Sequence, residues 1–182
     1  MAVFPPGTGG FLNPQRIISE IGIIEGGMRI ADFGCGHGYF SLPLAKKVGD
    51  DGRVFALDVL PDALEAVNSK VKLEGTQNIE TKRCNLEKEG GSKLLNESCD
   101  VVWLANLLFQ TEDDEIVVRE TKRILKPGGR LVFIDWRPDV PLGPLGKRVR
   151  KEEAKKLFEK EGFSLEKEFP TDNYHYGMIF RR

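Results

Sequence analysis

Ile30-Ala31-Asp32-Phe33-Gly34-Cys35-Gly36-His37-Gly38-Tyr39-Phe40 is the stretch from which the rest of the chain is read. Arg29 to Phe33 is short and mostly apolar, the pattern of a strand covered on both faces. Three glycines at alternate positions follow at once. A glycine has no Cβ and accepts positive φ, so the backbone there can turn sharply and come close to a ligand. Tyr39 to Val48 then reads as a helix, with Pro43 near enough to its start to be tolerated. Its first amides point into the same space. The spacing is G-x-G-x-G, not the dinucleotide-binding G-x-G-x-x-G, and Asp32 stands just before the first glycine. A carboxylate at that strand end would repel a pyrophosphate and suits a ligand with a cationic ammonium group. A plain strand–turn–helix could carry the same letters, so the remainder of the chain has to decide.

Outward from that turn, strands and helices alternate. Asn13-Pro14 starts a helix, a capping side chain followed by Pro at the first helical position, and Gly26-Gly27 ends the segment, so a helix is expected over 14–25. Arg53 to Asp58 is a second strand, ending on an acidic residue about 20 positions beyond the last glycine, where a carboxylate can accept from ribose hydroxyls. Pro61 opens a helix to about Glu74, Ile79 to Cys84 is a third strand, and Asp100 to Ala105 a fourth. Thr111, with Asp114 three residues later, resembles a capping box and predicts a helix that runs to Lys126-Pro127-Gly128-Gly129. A fifth strand, Arg130 to Asp135, leads into a Pro-rich loop, 136–146. A helix from Val149 to Glu161 and a hairpin of Phe163–Phe169 with Tyr174–Phe180 complete the chain. Such alternation implies a mainly parallel sheet with right-handed crossovers and a ligand outside the carboxyl ends of its strands.

Composition narrows the classes. The chain of 182 residues, 40% hydrophobic and 30% charged, reads as one domain with a substantial core and an ordinary soluble mixture. A formal net charge of −1 gives no global attraction to nucleic acid or an anionic membrane. No apolar run approaches the roughly 20 residues of a membrane span, and Met1 to Pro6 lacks a signal-peptide plan. Cys35, Cys84 and Cys99 are scattered, without a C-x-x-C pair, so neither a disulfide framework, a zinc site nor any other metal centre is expected, and a reducing cytoplasmic setting is. The thiols read as small buried hydrophobes, with chemistry on a soft substrate as the alternative.

Taken together, these motifs resemble those of the class I S-adenosylmethionine-dependent methyltransferases, in their type 11, small-molecule branch. Asp32 to Gly38 looks like motif I, Asp58 takes the acidic second-strand position, and Asp100 to Asn106 looks like the fourth-strand motif. Arg123 to Leu131, through Lys126-Pro127-Gly128-Gly129, is similar to that branch's helix–turn–strand motif. The resemblance covers about residues 14 to 182. It implies a Rossmann-like α/β fold with a mainly parallel seven-stranded sheet, helices on both faces and a C-terminal antiparallel hairpin. It also implies binding of S-adenosylmethionine, with S-adenosylhomocysteine as product. By the same resemblance Gly34, Gly36 and Gly38 pass under the methionine portion, with Phe33 and Cys35 in the same turn, and Asp32 sits toward the α-ammonium. Asp58, followed by Val59, takes the ribose hydroxyls. Asn85, followed by Leu86, stands where the family often has an Asp for the adenine amine; its carbonyl can accept the same bond. Asn106 and Leu107 border the transferred methyl.

Methyl transfer from an activated sulfonium needs an aligned acceptor and, for some acceptors, a base. Three residues of the expected carboxyl edge are candidates: His175, Asp135 and His37, each with a structural hydrogen-bonding role as the alternative. Trp136, Phe11 and Phe109 could wall an apolar acceptor pocket. The Gly/Pro-rich segments 1–13 and 136–146 carry Phe4, Phe11 and Leu12, and Trp136, Leu142 and Leu145, and read as lids over the site, the first with a flexible arm as its alternative. Lys147-Arg148-Val149-Arg150-Lys151 is a local basic run that could take phosphates or be a solvated helix start. A small-molecule acceptor is the expectation; a protein or RNA acceptor, or a cofactor-binding protein without catalysis, are the alternatives.

Overall fold

The computed structural model describes residues 12–182. Most of the expected arm, Phe4 and Phe11 included, lies outside the described residues. Leu12, read above with that segment, is buried beside α1.

Seven strands form one sheet: β1 (Arg29–Phe33), β2 (Arg53–Asp58), β3 (Ile79–Arg83), β4 (Cys99–Ala105), β5 (Leu125–Trp136), β6 (Ser164–Phe169) and β7 (His175–Arg181). Their order is β3-β2-β1-β4-β5-β7-β6. β1 to β5 pair in parallel, whereas β7 runs antiparallel to both β5 and β6. The chain reverses direction across the sheet between β1 and β4, so the turns leaving those two strands open a crevice at the carboxyl edge. The expected architecture is the one observed.

Alternation along the central strands divides the core. Ile30, Val54, Trp103, Val132, Ile134 and Ile179 face α1 (Pro14–Ile21) and α2 (Ser41–Val48). Phe33, Leu57, Leu104, Phe133, Met178 and Phe180 face α4 (Asp114–Ile124) and α5 (Lys151–Lys160). α3 (Pro61–Glu74) adds Leu64 and Val67 against Ala56 and Cys35. β1, β4 and β5 are sandwiched between these layers, which is why they read as continuous apolar runs.

Several boundaries differ from the sequence expectation, each for a local reason. α1 ends at Ile21, not near residue 25, because Gly22 takes φ +68 and closes the helix in the left-handed region. Ile23 and Ile24 then enter the core as extended chain. α4 is capped by Asp113, whose carboxylate accepts from the Ile116 amide at 3.1 Å; Thr111 instead donates to Asp114 at 2.5 Å. β5 starts at Leu125, where the helix was expected to continue, because Leu125 already pairs with Cys99 ahead of a register shift. The turn at Gly128 (φ +75) is thereby absorbed into the strand.

Candidate active site

Gly34, Gly36 and Gly38 all hold positive φ (+69, +50 and +79), a backbone path that other residues follow only under strain. A Cβ at Gly34 would stand 2.8 Å from the Leu107 side chain, and one at Gly38 would stand 3.1 Å from Val67. At Gly36 the corresponding space is open. The turn is thus pressed from below and free above, the shape a ligand-binding cradle requires.

Asp58 ties this cradle to β2. Its Oδ2 accepts from the Gly36 amide and its Oδ1 from the Leu60 amide, both at 2.9 Å. A carboxylate has about four lone-pair sites, so two bonds leave acceptor capacity for a ligand. Val59 and Leu60 beside it are exposed apolar residues.

Asp32 lies beneath the turn. Its side chain is buried and takes a 2.5 Å hydrogen bond from the Ser41 hydroxyl at the first residue of α2. Burial pushes its carboxyl up to about 7; the Ser41 bond opposes this and the Asp58 charge adds to it. Asp32 is therefore a brace between β1 and α2, only partly ionised at neutral pH. Ser41 was not singled out in the sequence, although its place in the first turn of the next helix is the signal for such a brace.

Across the crevice, Asn106 ends β4 with φ +55, an uncommon value for a residue other than glycine. Its amide donates to the Ile134 carbonyl at 2.8 Å, and its buried Oδ1 has no partner among the described residues. Strain and an orphaned acceptor at the end of a central strand are features that persist where a site needs them. Leu107 packs against Gly34, its side chain occupying the space a Cβ there would need. Phe33, Cys35 and Leu86 are buried, whereas Asn85 is exposed at the far side and its Oδ1 accepts from the Glu87 amide at 2.9 Å. Burial pushes the Cys84 and Cys99 thiols up to about 11 and the Cys35 thiol higher still, so none is a ready nucleophile.

The three candidate bases are separated by the fold. His37 is exposed in the glycine turn. Asp135, near the end of β5, is fully buried, its Oδ1 accepting from the Trp136 amide and its Oδ2 without a partner among the described residues. Burial pushes its carboxyl up to about 7, against that amide bond and with the charge of Asp114 adding. Strand alternation puts it with Phe133 and Tyr176, on the α4–α5 side of the sheet. His175 pairs in register with Trp136, on the α1–α2 side. Its Nδ1 is 2.8 Å from Asp172 Oδ1, and the rings of His175 and Trp136 lie 4.0 Å apart. Asp172 was read only as a turn residue; its place three positions before a histidine is the signal that pairs them.

A cavity of about 1410 Å³ opens beside the cradle rather than over Asp58, lined by Leu12, Gly38, Tyr39, Arg137, Asp172 and His175 among others. The Pro-rich loop reaches Trp136 through Gly143, at which a Cβ would stand 2.5 Å from the indole. Leu145, expected to serve a lid, is instead almost fully exposed. The basic run is engaged with its own chain: Lys147 bonds Asp114 at 2.7 Å, Arg148 bonds the carbonyls of Pro144 and Val140, and Lys151 bonds Glu168 at 2.9 Å.

Known proteins give the same picture. The sequence profile of the methyltransferase-domain family matches residues 31–133, from β1 through Phe133 of β5. The demethylmenaquinone methyltransferase of Lactococcus lactis is 38% identical over 120 residues, which cover 64% of this chain and 45% of that protein. The ubiquinone/menaquinone biosynthesis C-methyltransferase UbiE of Shewanella frigidimarina is 25% identical over 163 residues, 89% of this chain and 62% of that protein. The chain spans about half the length of the curated relatives it matches. A SAM-dependent methyltransferase from Aquifex aeolicus superposes with a TM-score of 0.86 at 25% identity, covering 97% of this chain and 93% of that one. With its glycine cradle, Asp58 tether and sheet order, the chain belongs to the methyltransferase-domain family, in its class I S-adenosylmethionine-dependent form.

Proposed function

We propose that the chain transfers a methyl group from S-adenosylmethionine to a small-molecule acceptor bearing an aromatic hydroxyl, such as a quinol. The observation that carries the cofactor part is the Asp58 carboxylate fixed against Gly36, with open space above that glycine. Support for the acceptor class comes from the relatives, whose names refer to demethylmenaquinone and to ubiquinone/menaquinone biosynthesis. The basic run that could have drawn a macromolecular acceptor has Lys147 and Lys151 engaged with Asp114 and Glu168 of its own chain.

The residues present fit the cofactor. Asp58 would take the ribose hydroxyls, the backbone of Gly34 to Gly38 would pass beneath the methionine portion, and Asn85 would meet the adenine. Asn106 Oδ1, without a partner among the described residues, would accept a hydrogen bond from the bound molecule. When bound, the cofactor supplies a sulfonium methyl group that is already activated toward a nucleophile. The protein's share is to hold the acceptor in line, exclude water and remove a proton.

Titration calorimetry tests the cofactor part. S-Adenosylmethionine and S-adenosylhomocysteine are expected to give heats of binding and NAD none; binding of NAD alone would reject the reading. Asp58→Ala is expected to weaken S-adenosylhomocysteine binding by about 1–3 kcal/mol through loss of charge-assisted bonds. The Gly36 and Leu60 amides lose their acceptor in the same variant. An unchanged affinity would mean the ribose lies elsewhere. Incubation with 1,4-dihydroxynaphthalene and S-adenosylmethionine tests the acceptor class, with a methylated naphthalene product expected by mass spectrometry.

A further inference from the structure

His175 and Asp172 form a buried pair at the turn that leads into β7. The imidazole is 2% exposed and the carboxylate 5%. Nδ1 lies 2.8 and 3.0 Å from the two carboxylate oxygens, and the same carboxylate accepts the amides of Tyr174 and His175, each at 2.8 Å. Burial pushes the Asp172 carboxyl up, but the His175 and backbone bonds outweigh it and hold the group below its ordinary value. An ionised carboxylate at Nδ1 keeps the ring proton there. Nε2 is then left with its lone pair, buried and without a partner among the described residues.

An unpaired buried acceptor costs about 1–3 kcal/mol, so this arrangement persists where an occupant supplies the missing hydrogen. The ring is also held in place. Trp136 lies against it, Thr171 Oγ1 donates to the His175 carbonyl at 2.8 Å, and Arg16 of α1 donates to the Thr171 carbonyl at 2.9 Å. His175 and Gly38, the last glycine of the cradle, both line the cavity beside the cradle. Trp136 is two residues beyond Ile134, whose carbonyl receives the Asn106 amide, which sets the pair at the same carboxyl edge as the transfer position.

We propose that His175 is the general base of the transfer, its Nε2 taking the proton of an acceptor hydroxyl, with Asp172 as its positioning residue. This rests on the methyl-transfer reading above. The O–H bond of the acceptor breaks and an N–H bond forms at Nε2. The resulting imidazolium stands against the Asp172 carboxylate. The electron pair left on oxygen forms the new bond to the methyl carbon, while the electrons of the broken sulfur–methyl bond return to sulfur. Where the pair is conjugated onto a ring carbon instead, that carbon's own proton is then lost and the oxygen takes one back, so one proton is released in either case. The charge lost from the sulfonium equals the charge gained by the imidazole, and the proton leaves to water once the product departs. His37, exposed in the turn, and Asp135, on the other face of the sheet, are not needed for this step.

The chain has two histidines, so nitrogen-15 NMR with His37→Gln as the assignment variant resolves His175 without altering the pair. A proton on Nδ1 and a lone pair on Nε2 are expected in the wild type at pH 8, with Asp172→Asn shifting the proton toward Nε2. A wild-type proton resting on Nε2 would overturn the proposal, because that nitrogen would be a donor. In single turnovers with 1,4-dihydroxynaphthalene, His175→Gln is expected to slow transfer by about 10²–10⁴-fold while S-adenosylhomocysteine affinity stays within about two-fold by calorimetry. A folded His175→Gln protein with the wild-type rate would also overturn it. If the wild type binds the cofactor but leaves this probe unmethylated, the quinol acceptor is rejected. The tautomer, and a shift of Nε2 on adding the probe, then decide for or against His175 separately.

Discussion

Stability against urea is expected to fall as the pH is raised from about 5 to about 8. The cause is two buried carboxyls, Asp32 and Asp135, each pushed by burial up to about 7 from an ordinary value of 3.8. Between those values the folded chain binds more protons than the unfolded one, so folding is favoured as the pH drops and disfavoured as it rises. A displacement of that size is worth roughly 4 kcal/mol per group once ionisation is complete. Most of the fall should come below about pH 7, with the curve levelling just above it. Glu120 and Asp172 act in the opposite sense. Each is held below its ordinary value by hydrogen bonds that outweigh the effect of burial, and their contribution is lost only in more acidic solution. Asp135→Asn keeps a carbonyl for the Trp136 amide and removes one titration, so its urea midpoint should depend less on pH than that of the wild type. Equal wild-type midpoints at pH 5 and 8 would contradict the expectation.

Phe133→Ala is expected to destabilise the fold by about 3–5 kcal/mol. Phe133 is fully buried near the middle of the sheet, its ring 5.0 Å from that of Phe158 on α5 and 5.8 Å from that of Tyr176 on β7. Removing it opens a void between groups fixed by two different elements, α5 and β7, neither of which can close it alone. Both rings meet Phe133 at 64°, an edge-on geometry that adds to simple burial. Urea denaturation at a fixed pH measures the loss, and a change below about 1 kcal/mol would mean that the core relaxes around the void.

The cradle was legible in the sequence because its whole mechanism is contiguous: a buried strand, three alternating glycines and a helix start. Asp58 was legible for a related reason, since a strand of ordinary length after one crossover helix sets its distance from the turn. The parallel pairing of β1 to β5 follows from the same alternation, and the turn of the hairpin was marked by turn residues. Boundaries fared worse where tertiary pairing overrides local signals. Leu125 looks helical until Cys99 pairs with it, and Gly22 ended a helix whose apolar pattern ran on through Ile23 and Ile24. Within the site, Asp32 was read for its charge, and its burial and its bond to Ser41 were not visible in the letters. The two faces of β5 and β7 could not be assigned to ligand or core from the letters alone. Asp135 and His175 therefore stood as equals until strand register separated them.

Trp136 is held between the Gly143 backbone and the His175 ring, while the chain's other tryptophan, Trp103, is closed in the core against Phe40 with its ring centre 5.0 Å away. One indole thus borders the imidazole and the other is shut away from solvent and ligand alike. A positively charged imidazole in contact with an excited indole drains its emission, whereas a neutral one leaves it bright. The molecule accordingly carries its own optical gauge. Light from Trp136 reports the state of the histidine beside it, and light from Trp103 supplies a steady background.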